Sequence, residues 1–134
     1  MQKYYICLME KQIINTTAAP APIGPYNQAV CVGNLLFVSG QIPLDAATGT
    51  LVESGIQDET EKVMENLAAI LKEAGMDFSN VVKSSIFLTD MNQFAAVNEI
   101  YGKYFTENAP ARECVQVAAL PKFVRVEISV IAAQ

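Results

Sequence analysis

The strongest periodic signal along the chain runs from Ile56 to Ala74. Ile56, Val63, Leu67, Ile70, Leu71 and Ala74 recur at helical spacing, with Glu and Lys on the opposite face. Ser54 or Gly55 is placed to cap its start, and Gly75 to end it as the C′ glycine. A second stripe, Phe94, Val97, Tyr101, Tyr104 and Phe105, predicts a helix over about Gln93–Phe105, capped by Asp90 or Asn92. Its aromatic residues read as core packing.

The remaining apolar runs alternate with period two and predict strands. Gln12–Asn15 is a short one. Ala29–Val32 and Leu35–Val38 flank Gly33-Asn34, a two-residue hairpin turn. The second of these continues into Ser39-Gly40-Gln41-Ile42, where Gly40 predicts a bulge or a close backbone approach, and Pro43 ends it. In Val81–Leu88, the side chains of Val82, Ile86 and Leu88 are expected on one face and Lys83, Ser85 and Phe87 on the other. Glu113–Ala118 should set Val115 and Val117 against Cys114 and Gln116. Val124–Ile131 should set Val124, Val126, Ile128 and Val130 against Arg125, Glu127 and Ser129. Between the first two strands, residues 18–25 (AAPAPIGP) hold three prolines within six positions and form a stiff extended connector.

Strands, helix, strand, helix, strand, strand is the order of a two-layer α+β domain, with both helices packed together on one face of the sheet. The other face would then carry Lys83, Ser85, Phe87, Cys114, Gln116 and Glu127, a semi-polar surface on which copies of the chain could meet around an axis. The length, 134 residues, suits one domain able to bury roughly two-thirds of its unfolded surface. Residues 1–8 read as an N-terminal extension to a domain over 9–134, with Met9 as an alternative initiator. An ordered strand through Tyr4–Leu8 is the competing reading.

Composition narrows the chemistry. Charged residues make up only 17% of the chain, which also favours a surface covered by a second copy. The net charge of −5 and scattered lysines argue against nucleic acid as a partner. No run approaches the roughly 20 apolar residues of a membrane span. Three widely spaced cysteines without a CxxC argue against a disulfide framework or a zinc site and suit a reducing cytoplasm. Histidine is absent, which removes the commonest general base and metal ligand. Acid–base work falls to a carboxylate, Tyr, Lys or Cys.

Arg112 is one of two arginines and stands at the mouth of a strand. Its planar fork suits a substrate carboxylate; a trivial surface ion pair is the alternative. Glu127 sits mid-strand between Val126 and Ile128. Partial burial would raise its pKa toward neutrality, unless it serves a structural salt bridge. Cys114 has no histidine to activate it and reads as a pocket-lining residue. Tyr26 follows the rigid connector, and Gly40 could offer a backbone N–H to a ligand.

Together, APIGPYNQA (21–29), FVSGQIP (37–43), ENLAAILKEAG (65–75), VVKSSIFLTDMNQFAAVNEIY (81–101), PARECVQVAALPK (110–122) and VEISVIA (126–132) resemble the RidA (YjgF-type) family of reactive-intermediate deaminases. The resemblance implies a chorismate-mutase-like α+β subunit with a mixed β-sheet, assembled as a homotrimer with substrate clefts between subunits. It implies hydrolysis of 2-aminoacrylate and 2-aminocrotonate, enamine/imine products of pyridoxal-phosphate-dependent dehydratases, to 2-oxo acids and ammonia, without cofactor or metal. It makes Arg112 the carboxylate anchor and Glu127 the residue that orients or activates water. Tyr26, Ser39, Gly40, Asn98 and Cys114 would line the site. The loop before Pro110 is shorter than in many members, and Ser129 stands where a second Glu is common. Other readings stay open: an endoribonuclease or translation inhibitor, a non-catalytic binding or chaperone-like trimer, or an enzyme acting on another carbonyl or imine compound.

Overall fold

In the computed structural model, which describes residues 10–134, period-two alternation builds a single six-stranded sheet. Its strands are β1 (Lys11–Ile14), β2 (Ala29–Val32), β3 (Leu35–Gln41), β4 (Val81–Leu88), β5 (Ala111–Gln116) and β6 (Val126–Ala133). Two helices, α1 (Ile56–Glu73) and α2 (Phe94–Gly102), accompany it. The N-terminal extension and the alternative strand Tyr4–Leu8 lie outside the described residues.

The sheet order is β1-β2-β3-β6-β4-β5. Only β4 and β5 pair in parallel; the other pairings are antiparallel. The chain therefore steps from β3 through α1 to β4, then through α2 to β5, in the same direction along the sheet. Crossovers of one hand stepping one way place both helices on one face. Leu67, Ile70 and Leu71 of α1 and Val97 and Tyr101 of α2 accordingly share one core with Leu36, Val38, Ile86, Leu88, Val126, Ile128 and Val130.

Local signals hold where the chain is well covered. Gly33 turns the β2–β3 hairpin at φ 59°. α1 begins at Gly55, and Ser54 Oγ donates 2.7 Å to Asp58. It ends in a Schellman arrangement: Gly75, at φ 73°, donates to Lys72 O, and Met76 donates to Leu71 O. α2 is shorter than its stripe predicts. Asp90 caps a 3₁₀ turn that precedes it, and the helix stops at Gly102. Tyr104 and Phe105 lie beyond it, stacked around Phe78 with centroids 5.0 and 5.4 Å away.

Two facing assignments are corrected. The β4–β6 register slips between Val81 and Lys83, so Val81 enters the core and Val82 is 48% exposed. In β5 the phase is opposite to that expected. Cys114 and Gln116 pair with the core-facing Ile86 and Leu88, whereas Val115 pairs with Phe87 on the open face. β5 is an edge strand that the helices barely cover, so side-chain polarity no longer reports which face is which. Cys31 packs against the core.

Leu67→Ala is expected to cost about 2–5 kcal/mol in urea unfolding, because Leu67 is fully enclosed. Val82→Ala should stay within about 0.5 kcal/mol. Equal losses would contradict the corrected register.

Candidate active site

Glu127 is held where strand alternation leaves it no alternative. Its neighbours Val126 and Ile128 are buried against the helices, so Glu127 leaves the opposite, open face of the sheet. There it meets a bulge. The β3–β6 register shifts between Val38 and Gln41, at Ser39-Gly40. A Cβ at Gly40 would strike Glu127 Oε1 and lie 2.8 Å from its Cδ. The missing side chain at Gly40 is thus the seat of the carboxylate, as the sequence suggested. Ile23, Tyr26, Ile42 and Pro121 close an apolar wall around it, forming with Ser39 and Gly40 a cavity of about 360 Å³. Half-burial pushes the Glu127 pKa above the ordinary glutamate value. Among the described residues no cation or hydrogen-bond donor holds the carboxylate.

Two buried amides support this pocket, and sequence reasoning passed over both. Gln28 Nε2 donates to the carbonyls of Thr16, Ala19 and Pro20 at 3.0, 3.1 and 2.8 Å, while its Oε1 accepts from Thr16 N at 2.7 Å. This pins the proline-rich connector that presents Ile23 and Tyr26. Asn66 Nδ2 donates to Ile42 O and Leu44 O at 3.1 and 2.9 Å, fixing the opposite wall. Asn66 carried a signal: an amide at i+3 from Val63, inside the apolar stripe of α1. Ser39 Oγ donates to Asn27 O at 2.6 Å, so its hydroxyl proton is committed and only its lone pairs face a ligand. Tyr26 Oη accepts from Ile23 N at 3.3 Å.

Arg112 lies on the other side of the sheet. It pairs in register with the buried Ser84, facing α2. Its Nη1 donates to Asn98 Oδ1 at 2.7 Å, and its guanidinium carbon stands 4.9 Å from the Tyr101 ring centroid and 5.6 Å from that of Phe94. Among the described residues it meets no carboxylate, so the trivial ion pair is not formed. Arg125, by contrast, is neutralised by both oxygens of the buried Glu59, a pair the sequence did not suggest. Cys114 lies two residues along β5 on the Arg112 side. Burial raises its pKa, with Arg112 opposing, so the thiol stays protonated. That disfavours a nucleophilic role.

The candidate residues thus fall into two groups. Tyr26, Ser39, Gly40 and Glu127 gather on the open face; Asn98, Arg112 and Cys114 gather at the helix-side edge. One group offers a proton-accepting carboxylate in an apolar wall, the other a free cation with planar donors. Within one chain the sheet separates them. Among the described residues no three His, Cys, Asp or Glu side chains converge as metal ligands, and no helix is long and apolar enough to cross a membrane.

Comparison with known proteins gives the family. Residues 16–134 match the family model described as Endoribonuclease L-PSP. A RutC family protein of Pyrococcus abyssi is 51% identical over 92% of this chain and 98% of its own length. The mouse 2-iminobutanoate/2-iminopropanoate deaminase is 52% identical over 92% of each chain. The crystal structure of E. coli TdcF with bound serine superposes with a TM-score of 0.88 at 43% identity, covering 92% of this chain and 98% of that one. The chain belongs to this family, the YjgF/RidA family of Rid proteins, as its sequence motifs indicated.

Gly40→Ala should expel the Glu127 carboxylate toward water and lower its pKa toward the ordinary value of about 4.3. Carboxyl-carbon NMR titration checks this; an unchanged titration would mean that Gly40 does not seat the group. Because the folded-state pKa is raised, the stability Glu127 contributes belongs to its protonated form and is lost as pH rises through that pKa. Glu127→Gln should therefore melt higher than the wild type at pH 7, and the gap should close in acid.

Proposed function

We propose that the protein is a hydrolytic deaminase of reactive enamine/imine intermediates such as 2-aminoacrylate and 2-aminocrotonate, releasing 2-oxo acids and ammonia in the cytoplasm. The observation that carries this reading is the pair of unneutralised charges. Arg112 is held without a carboxylate partner, and Glu127 is half-buried without a cation. A small anion with an electrophilic C=N bond needs one of each. The name of the mouse relative supports the same chemistry, and TdcF with bound serine supports a site for an α-amino acid skeleton.

The reaction runs on the imine tautomer. Arg112 takes the carboxylate in a bidentate grip and sets the imine carbon against the Glu127 pocket. Glu127 accepts a proton as water oxygen bonds to that carbon; the C=N electron pair moves onto nitrogen, which takes a proton from solvent, balanced by the hydroxyl proton returned to solvent in the last step. Glu127 returns its proton to the amine of the resulting carbinolamine. The C–N bond breaks, ammonia leaves, and loss of the hydroxyl proton completes the 2-oxo acid. General acid–base action of this kind is worth about 100- to 10,000-fold. Burial serves it, because a raised pKa brings the carboxyl closer to neutral pH.

Since the two groups lie on opposite faces, the site requires the Glu127 face of one copy against the Arg112 edge of another. A homotrimer with clefts between subunits provides this. The row Ile13, Val30, Phe37 and Ile131 supports such packing: it crosses β1, β2, β3 and β6 on the same face as Glu127, with Ile13 and Phe37 exposed. The supply of substrate falls to pyridoxal-phosphate-dependent dehydratases acting upstream. An endoribonuclease reading follows the description of the family, but a chain of charge −5 without histidine is poorly equipped to bind and cleave an RNA backbone.

Coupled to a threonine dehydratase, the protein should accelerate 2-oxobutanoate release beyond the spontaneous rate. Arg112→Lys should lower kcat/KM about 10- to 150-fold, since Lys keeps the charge but not the fork. Glu127→Gln should lower kcat with little change in KM. If both variants match the wild type, the binding-module reading replaces this one. The rate should also fall as pH drops through the raised Glu127 pKa, on an acid limb that Glu127→Gln lacks.

A further inference from the structure

Arg112 stands on an exposed edge strand, where a long side chain ordinarily samples many rotamers. Three side chains of α2 meet it: Phe94, Asn98 and Tyr101. They are spaced i, i+4 and i+7 and share one helix face. Two present ring faces, and one accepts a single N–H.

Tyr101 is fixed at its polar end as well as through its ring. Its hydroxyl donates 2.9 Å to Ser84 Oγ, fully buried in β4, and Ser84 is the register partner of Arg112 across the β4–β5 pair. A circuit closes from Ser84 through the phenol and its ring to the guanidinium and back along the strand ladder. Phe105 backs the ring at 4.6 Å. Burial raises the Tyr101 pKa, so the hydroxyl remains a donor.

We infer that Tyr101 is a positioning residue whose ring face holds Arg112, with Phe94 beside it, so that the guanidinium charge and in-plane donors stay free for a substrate carboxylate. A carboxylate partner would hold the arginine as firmly but would use up the fork, as Glu59 does to Arg125. Contact through the ring face consumes no N–H. Asn98 takes one of the five donors, and four remain. The substrate part of this inference rests on the proposed function; the ordering of Arg112 does not.

The chain has two arginines, so side-chain Nε–H relaxation reports Arg112 with Arg125 as an internal reference. Tyr101→Leu should sharply lower the order of Arg112 and leave Arg125 unchanged. In the coupled assay it should raise KM about 3- to 30-fold with kcat nearly constant. Tyr101→Phe loses the Ser84 hydrogen bond and should melt lower, yet its ring should rescue both Arg112 order and KM. Phe94→Leu, at a more exposed site that tolerates change, should loosen Arg112 partially. If Tyr101→Leu leaves Arg112 ordered, or if Tyr101→Phe disturbs Arg112 and KM as much as Tyr101→Leu, the ring is packing only and the inference falls. If the wild type fails to hydrolyse imines, the deaminase reading falls, while the relaxation measurements still decide the role of Tyr101.

Discussion

A strand sends consecutive side chains to opposite faces, and in β6 this rule is enforced by burial. Val126, Ile128, Val130 and Ala132 are locked under the helices at the centre of the sheet. A one-residue slip would bring Glu127 and Ser129 into their place, burying a carboxylate that the apolar core could not accept. The position of Glu127 is therefore a consequence of the most strongly determined packing in the molecule. The rest of its environment is fitted around it: the bulge that brings Gly40 under the carboxylate, the connector clamped by Gln28, and the Ile42–Leu44 wall clamped by Asn66.

The same rule separates Glu127 from Arg112. β5 runs parallel to β4, and its register assigns Arg112 to the helix side through Ser84. Were the two groups on one face of one chain, they could neutralise each other. Held apart, each remains uncompensated: the carboxylate because it is seated in an apolar wall over a bulge, the guanidinium because rings and an amide support it in place of an anion. Mutual neutralisation is what Arg125 and Glu59 show.

Much of this was legible in the chain. The α1 stripe, the Gly33 turn, the alternation of β6 and the close approach at Gly40 follow from local chemistry that tertiary context only reinforces. The motifs around Tyr26, Ser39, Arg112 and Glu127 indicated the family and picked out the residues that gather in the two groups. What was not legible depended on pairing partners. Val82 reads as core by polarity, and only the slip against β6 exposes it. The phase of β5 rests on its register with β4, because an edge strand carries too little burial to mark its faces. Gln28 and Glu59 are polar residues whose partners are distant in sequence, at Thr16–Pro20 and Arg125, and nothing in their neighbourhoods announces burial. That Arg112 and Glu127 are divided by the sheet also emerges only once strand order is known.

The central claim, that a working site joins Glu127 of one copy to Arg112 of another, is tested most directly by mixing two inactive variants. If Arg112→Ala and Glu127→Gln chains, co-refolded in equal amounts, assemble as proposed, random pairing unites an intact Arg112 edge with an intact Glu127 face at about a quarter of the interfaces. The account predicts recovery of about a quarter of wild-type deaminase activity from two nearly inactive proteins. A mixture that assembles fully and stays as inactive as its components would contradict it.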